Sequence, residues 1–374
     1  MSTPSTERRP ITAAVVRKQG GDFVIEQASI GAPGPREVLV RVVATGVCHT
    51  DMIIRDQYYP SPLPAVLGHE GSGVVEAVGE DVHAVAPGDH VVMTFMSCGY
   101  CVQCDQGHPA HCENFFALNF GGGRDDGTTA TCDDHGHELH DHFFGQSSFG
   151  SFAIAHERNV VKVPKDAPLE LLGPLGCGIM TGAGAVLNAL DVKAGTSFAA
   201  FGSGAVGLSA VMAAKVAGAT TIIAVDVTPS RLELAKELGA THVVNSREVD
   251  AVKAIKEITG GGVNFTLESS GRPEVLRQAV DALSIRGTCG IVGAPKLGTE
   301  ASFDVNDVMV PGKKILGIVE GDSVPQVFIP RLVDLFLQGR FPFDKLVGFY
   351  KFDQINEAIA DSESGKTIKP ILRF

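Results

Sequence analysis

Ser197-Phe198-Ala199-Ala200-Phe201-Gly202-Ser203-Gly204-Ala205-Val206-Gly207 is the stretch on which the fold of this chain turns. A short apolar strand runs into a glycine turn, and small residues continue as a helix to about Ala217. In a G-x-G-x-x-G placed between strand and helix, Gly202 and Gly204 let backbone approach a pyrophosphate. Val206 lies inside the turn, and Gly207 lets helix and strand touch. Alone the motif is weak, because glycines also serve simple packing. Its surroundings add weight. Thr221-Ile-Ile-Ala-Val-Asp226 reads as a second strand, and Asp226 falls about twenty residues past the last glycine, where a carboxylate accepts both adenosine-ribose hydroxyls. It would repel a 2′-phosphate, and neither Val227 nor Thr228 offers a cation to hold one, so the pattern favours NAD over NADP.

Downstream, a helix with Pro229 near its start, the strand His242-Val-Val, a helix over 249–258, the strand Val263-Asn-Phe-Thr-Leu, a helix over 273–283 and the strand Thr288-Cys-Gly-Ile-Val alternate. Apolar strands alternating with helices predict an α/β fold, a doubly wound parallel sheet. Upstream the reading is mainly β. Val38-Leu-Val-Arg-Val-Val, Gly73-Val-Val-Glu-Ala-Val and His90-Val-Val-Met are strands bounded by glycine, and residues 119–142 read as a long surface loop. From about residue 323 come a helix over 327–337, a second opening at Phe352-Asp353, and a closing strand over 367–374 that returns to the first domain. A chain of 374 residues exceeds one ordinary core, and the expected division is 1–178, 179–322 and 323–374.

A net charge of -12 with no basic block argues against nucleic acid. Met1 to Pro10 is polar, disordered-looking and without an apolar export core, so Arg8 and Arg9 read as surface charge and the chain as cytoplasmic. The uncharged runs 171–190 and 194–214 are long enough to cross a bilayer but are broken by glycines, and no membrane span is expected. Lys314-Ile-Leu-Gly-Ile-Val is a candidate edge strand for pairing in a homodimer or homotetramer.

Four of the eight cysteines lie within fifteen residues, which in a reducing compartment points to metal. Cys98-x2-Cys101-x2-Cys104-x7-Cys112 wraps four thiolates about a tetrahedral zinc with no open position, a structural site. Cys48, His69 and Cys177 are too far apart for spacing to link them. Together they would leave a fourth zinc position for substrate; separately they are buried, unligated residues. His135, His137, His140 and His142 with Cys132, Asp133 and Asp134 invite a metal reading, but a solvated loop accounts for them.

Gly68-His69-Glu70-x2-Gly73-x5-Gly79-x2-Val82, the cysteine lobe and the Gly202 turn follow one another as in the zinc-dependent alcohol dehydrogenases of the medium-chain dehydrogenase superfamily, which the chain resembles over essentially its whole length. The resemblance implies a GroES-like catalytic domain beside a Rossmann domain, two zinc ions per chain, and NAD. By the same resemblance Cys48, His69 and Cys177 hold the catalytic zinc, and Asp51 hydrogen-bonds the ligand histidine. Glu70 approaches the metal during ligand exchange, and Thr50 takes the alcohol proton. Asp226 and Arg231 contact the adenosine ribose, and His49 and Lys369 lie near the pyrophosphate. Phe95 is expected to line the substrate pocket. Phe143-Phe-Gly-Gln-Ser-Ser-Phe149 with Gly176-Cys-Gly-Ile179 is similar to the aryl- and benzyl-alcohol branch, which implies reversible oxidation of primary aromatic or allylic alcohols to aldehydes.

One position departs from the family pattern. A histidine that many relatives carry three residues after the accepting hydroxyl is Ile53 here. The proton must exit through water or another base, with His49 the nearest by sequence. The competing readings are a terpenoid (geraniol or perillyl) alcohol dehydrogenase, a thiol-dependent formaldehyde dehydrogenase, and a non-catalytic protein of this fold.

Overall fold

The apolar run Ser197–Phe201 becomes the centre of a six-stranded parallel sheet in the computed structural model, which describes residues 8–374. The spatial order is His242–Asn245, Thr221–Asp226, Ser197–Phe201, Val263–Glu268, Leu283–Ile291, Lys314–Gly317. The chain therefore builds outward from Ser197–Phe201 in both directions, which makes the end of that strand a topological switch point. Helices Ala205–Ala217, Pro229–Leu238, Ala251–Thr259 and Pro273–Asp281 connect these strands. Ala199, Phe201, Ile223, Val225, Ile255, Val263 and Leu283 fill the core between layers. Central strands covered on both faces must be largely apolar, as residues 198–201 and 222–225 are.

The rest of the chain forms a second, mainly β unit with two sheets. In one, Val160–Lys162, His90–Met93, Glu70–Val78, Glu37–Gly46, Lys369–Arg373 and Val347–Lys351 lie side by side, and Phe152–His156 also pairs with Glu37–Gly46. Alternating side chains of these strands (Val38, Val40, Val42, Val75, Val91, Met93) form its core. The other sheet runs Ala65–Val66, Arg9–Val16, Phe23–Ile30, Thr131–Asp133, Glu138–Leu139.

The division between units falls at Cys177, and Val324–Leu337 and Asp344–Phe374 belong with the β unit. Gln338–Phe343, expected in the returning tail, belongs instead with Gly178–Ser323. Two local expectations change. Arg9 and Pro10 open a strand instead of continuing a disordered start, and residues 1–7 lie outside the described residues. The stretch 119–142 is more than a solvated loop. Its residues 131–133 and 138–139 pair into a sheet, and Asn119, Asp133, Asp141 and His142 are buried. The runs weighed as membrane spans break into short helical turns or into strand, turn and helix, and no single helix among the described residues is long and apolar enough to cross a membrane.

Candidate active site

Cys48 stands at the N-cap of the short helix His49–Arg55, and Asp51 closes that helix start by accepting the Cys48 N–H at 2.9 Å. The other Asp51 oxygen accepts from Gly68 N at 3.2 Å and meets His69 Nδ1 at 2.9 Å. One fully buried carboxylate thus fixes a cysteine, a turn and an imidazole. Gly68 has φ +86, and a Cβ there would lie 2.5 Å from the Phe149 ring, so the turn presenting His69 tolerates no side chain. Cys177 arrives at the end of the helical turn Gly173–Gly176.

The donor atoms of Cys48, His69, Glu70 and Cys177 all lie within 4.8 Å of one another. With Asp51 on Nδ1, the free nitrogen is Nε2, which is buried and has no partner. Two thiols, an unpartnered imidazole nitrogen and a carboxylate suit zinc, and the carboxylate behind the histidine is the arrangement that aims such a ligand. A bond shared with Cys177 draws the Cys48 thiol well below its usual pKa, aided by the Lys369 and His69 charges against burial. Burial would lower His69, but Asp51 and Cys48 hold it well above its ordinary value. Burial raises Glu70, opposed by Lys369, whose Nζ lies 2.8 and 2.9 Å from its two oxygens. Lys369, expected near a pyrophosphate, is buried on Glu70 and on the Val47 carbonyl at 3.2 Å, and its pKa is raised: burial pulls down, and Glu70 and Cys48 prevail.

Thr50 Oγ1 is 3.7 Å from Cys48 Sγ, His49 is exposed, and Ile53 is buried at 2% exposure, so the side chain replacing a relay histidine faces the core. Phe95 is buried and reaches the cluster indirectly: its ring is 5.9 Å from Phe115, which is 6.3 Å from Phe144. The ring beside His69 is Phe144, stacked on the imidazole at 4.5 Å and 27°. Phe144 and Gln146, which donates to the His69 carbonyl at 2.9 Å and accepts from Gly71 N at 3.1 Å, carry no role in the sequence reading. A glutamine bracketed by aromatics and serines was the signal available.

Cys98, Cys101, Cys104 and Cys112 form the second cluster, with Sγ–Sγ distances of 3.9 Å (98–104) and 4.0 Å (101–112). These are far beyond a disulfide, and 2.3 Å zinc–sulfur bonds in a tetrahedron would set edges of about 3.8 Å. Burial pushes the Cys112 thiol up to about 12, whereas N–H groups of Tyr100 and Cys101 outweigh burial and bring Cys98 down to about 6. Four crowded thiols cannot all ionise without a cation among them. Among the described residues these two clusters are the candidate metal sites; the histidines at 135, 137, 140 and 142 add none. His135 and His137 are exposed, His140 contacts the Gly122 carbonyl, and His142 lies between Asp141 (2.5 Å) and Glu37 (3.3 Å).

In the α/β unit, a Cβ on Gly207 would lie 1.8 Å from the Gly202 carbonyl, whereas one on Gly204 would meet nothing within 4 Å. Gly207 serves helix–strand contact and Gly204 leaves a cradle open beside Val206 at the helix start. The Ser203 hydroxyl and Arg231 Nε are buried without partners. Asp226 ends its strand, accepting from Ser203 N at 2.7 Å, Val227 N at 2.8 Å and Thr228 N at 2.9 Å. Open backbone at a helix N-terminus with unused donors nearby fits a dinucleotide phosphate.

Residues 34–165 match the alcohol dehydrogenase GroES-like domain, and residues 205–338 match the zinc-binding dehydrogenase domain. The chain belongs to the zinc-dependent medium-chain alcohol dehydrogenases. Among members of that family it is similar to the benzyl alcohol dehydrogenase of Acinetobacter calcoaceticus, at 59% identity and TM-score 0.95 over 98% of this chain and 99% of that one. A zinc-binding-domain alcohol dehydrogenase from Burkholderia ambifaria superposes with TM-score 0.97 at 68% identity, covering 98% of this chain and 100% of that one. The geraniol dehydrogenase of Castellaniella defragrans is 48% identical across 97% of both chains. Zinc alcohol dehydrogenase activity and use of a nicotinamide cofactor follow from that membership.

Proposed function

We propose that this enzyme oxidises primary aromatic or allylic alcohols of the benzyl alcohol type to aldehydes, reversibly and with NAD. The observation that carries the substrate class is the aromatic wall at the ligand histidine: Phe144 on its face, Phe143 at its edge, and Phe115 and Phe120 behind them. Flat apolar walls favour flat or unsaturated apolar alcohols. When bound, zinc supplies a Lewis acid that makes an alcohol proton easier to lose, and NAD supplies the hydride acceptor. Cys48, His69 and Cys177 are the residues to hold that zinc; the four-cysteine lobe would hold a second, structural one.

Asp51 keeps the His69 proton on Nδ1, leaving Nε2 as the ligand atom. Thr50 takes the proton from the substrate hydroxyl, and with buried Ile53 blocking an inner route, the exposed His49 or water carries it on. Glu70 would be the carboxylate available to the metal during ligand exchange, and its pairing with Lys369 keeps either from being an isolated buried charge. Asp226 supports the choice of NAD: three backbone donors fix its carboxylate and leave acceptor capacity for a ribose hydroxyl, and a 2′-phosphate beside it would be repelled. The exposed edge strand Lys314–Gly317, with Val305, Met309 and Val310 exposed nearby, supports pairing with a second copy. A cytoplasmic location accords with this reading.

A steady-state screen of benzyl alcohol, cinnamyl alcohol, geraniol and short aliphatic alcohols with NAD tests the substrate class. A kcat/KM for benzyl or cinnamyl alcohol no higher than for ethanol would end it. Geraniol preferred over benzyl alcohol would favour the terpenoid reading, which the Castellaniella relative supports. Formaldehyde oxidation stimulated by glutathione or mycothiol would point to the thiol-dependent reading. Asp226→Gly should weaken NAD by roughly tenfold or more and improve NADP, as expected for a charged hydrogen-bond acceptor; kcat/KM unchanged with either cofactor would displace Asp226 from the ribose site.

A further inference from the structure

The segment 143–149 marks the branch in sequence and supplies two rings of the aromatic wall. In the structure it wraps the ligand His69. Asp51 holds the imidazole at one point, Nδ1, at 2.9 Å. A ring fixed at Cβ and at one edge nitrogen keeps one soft motion, a tilt about the line joining those points. That tilt swings Nε2 away from Cys48 and Cys177. Phe144 blocks it: its ring lies stacked 4.5 Å from the imidazole at 27°, while Phe143 meets it edge-on at 5.2 Å and 83°. Gln146 fixes the backbone beneath, bonding both the His69 carbonyl and the Gly71 N–H.

Phe144 also has φ +52, a left-handed conformation that a bulky side chain rarely adopts and glycine or asparagine would meet at less cost. Its backbone is held there by Asn159 Nδ2, which donates to the Phe144 and Gly145 carbonyls at 3.2 and 3.0 Å. The conformation costs energy, and what it delivers is a flat aromatic face on His69.

We propose that Phe144 is a positioning residue for His69, setting the tilt of the imidazole so that retention of the metal at this cluster, and not only the shape of the substrate pocket, depends on its ring. The inference rests on Cys48, His69 and Cys177 being metal ligands. The test is zinc release from the holoenzyme to a chromophoric chelator, with the four-cysteine lobe as internal reference, and the visible spectrum of the cobalt-exchanged enzyme. Phe144→Leu should release one of two zinc equivalents about tenfold faster, the lower end of the range for groups supporting a ligand from behind, with the other equivalent unchanged and the cobalt bands shifted. Phe144→Tyr, which keeps the flat face, should behave as the parent. Parental release and parental cobalt bands in Phe144→Leu overturn the proposal. If Phe144→Leu is insoluble, Phe144→Met is read in its place by the same criteria. A parent enzyme that holds only one zinc equivalent, in the lobe, would instead overturn the ligand assignment beneath it.

Discussion

The two cysteine-bearing clusters of this enzyme have similar dimensions and opposite origins. The lobe draws all four donors from residues 98–112, half of them partly exposed, beside the exposed Tyr100 and Val102. The other takes its donors from residues 48, 69–70 and 177, on a helix start, a strand start and a helical turn, with His69 and Glu70 fully buried. A cluster that one loop supplies needs little of the fold and closes that loop on itself. A cluster gathered from three segments exists only after the sheets have formed, and it inherits buried charges that must be balanced by Asp51 and Lys369. On the proposed reading the local cluster would act as a staple and the assembled one would carry the chemistry.

Breaking one donor in each cluster separates the roles most strongly. Cys48→Ala should reduce turnover by about a thousandfold or more, since losing a ligand removes the centre that activates the alcohol. Its melting temperature should stay near the parent's; retained turnover would remove Cys48 from the site. Cys101→Ser should instead lower the melting temperature by roughly 10 °C, the shift that several kcal/mol of lost metal cross-link gives at about 2–4 °C per kcal/mol. An unchanged melting curve would mean that the lobe staples nothing. Asp51→Asn comes next: it keeps the shape but weakens the hold on His69, and should loosen zinc at the assembled cluster by about 10–100-fold while the lobe is unaffected. Equal loss from both clusters in a chelator titration would refute that separation.

The smallest effect concerns a third cluster, closed by its own charges. His142 lies between Asp141 and Glu37, and Arg124 bonds both Glu37 oxygens at 2.7 and 2.9 Å. Burial would lower His142, but Asp141 and Glu37 raise it to about 9 from 6.5. The raised pKa stabilises the fold fully below about pH 6.5 and is lost as pH climbs through 9, a contribution of at most about 3 kcal/mol. Denaturant midpoints should fall over that interval in the parent, and His142→Gln should flatten the fall. A variant with the parental slope would assign the titration elsewhere.

What the sequence makes legible follows the same division. The Gly202 turn, the strand Thr221–Asp226 and the cysteine lobe declare themselves because each is written within about thirty residues, the span of one strand–helix–strand unit. The family signature around His69 is also local, and it leads to that histidine. The partners of that histidine are not local. Phe144 and Gln146 reach His69 from 75 and 77 positions away, and Glu37 reaches His142 across 105. No periodicity encodes such distances, so 119–142 reads as loop although His142 is buried, and nothing near Lys369 in the chain announces its burial on Glu70. Neither the lysine nor the carboxylate gives any sign of the other in its own neighbourhood.

That last pair has a consequence for how the protein is made. Glu70 and Lys369 are 299 positions apart, and the strand carrying the lysine lies against Glu37–Gly46, which is synthesised long before it. Throughout translation of the whole α/β unit, the sheet around Glu70 lacks its Lys369–Arg373 strand, and the Glu70 carboxylate lacks its counter-ion. The β unit cannot reach its final state in order of synthesis, and such long-range closure slows folding. The Glu70 carboxylate must wait for a strand made after the whole α/β unit.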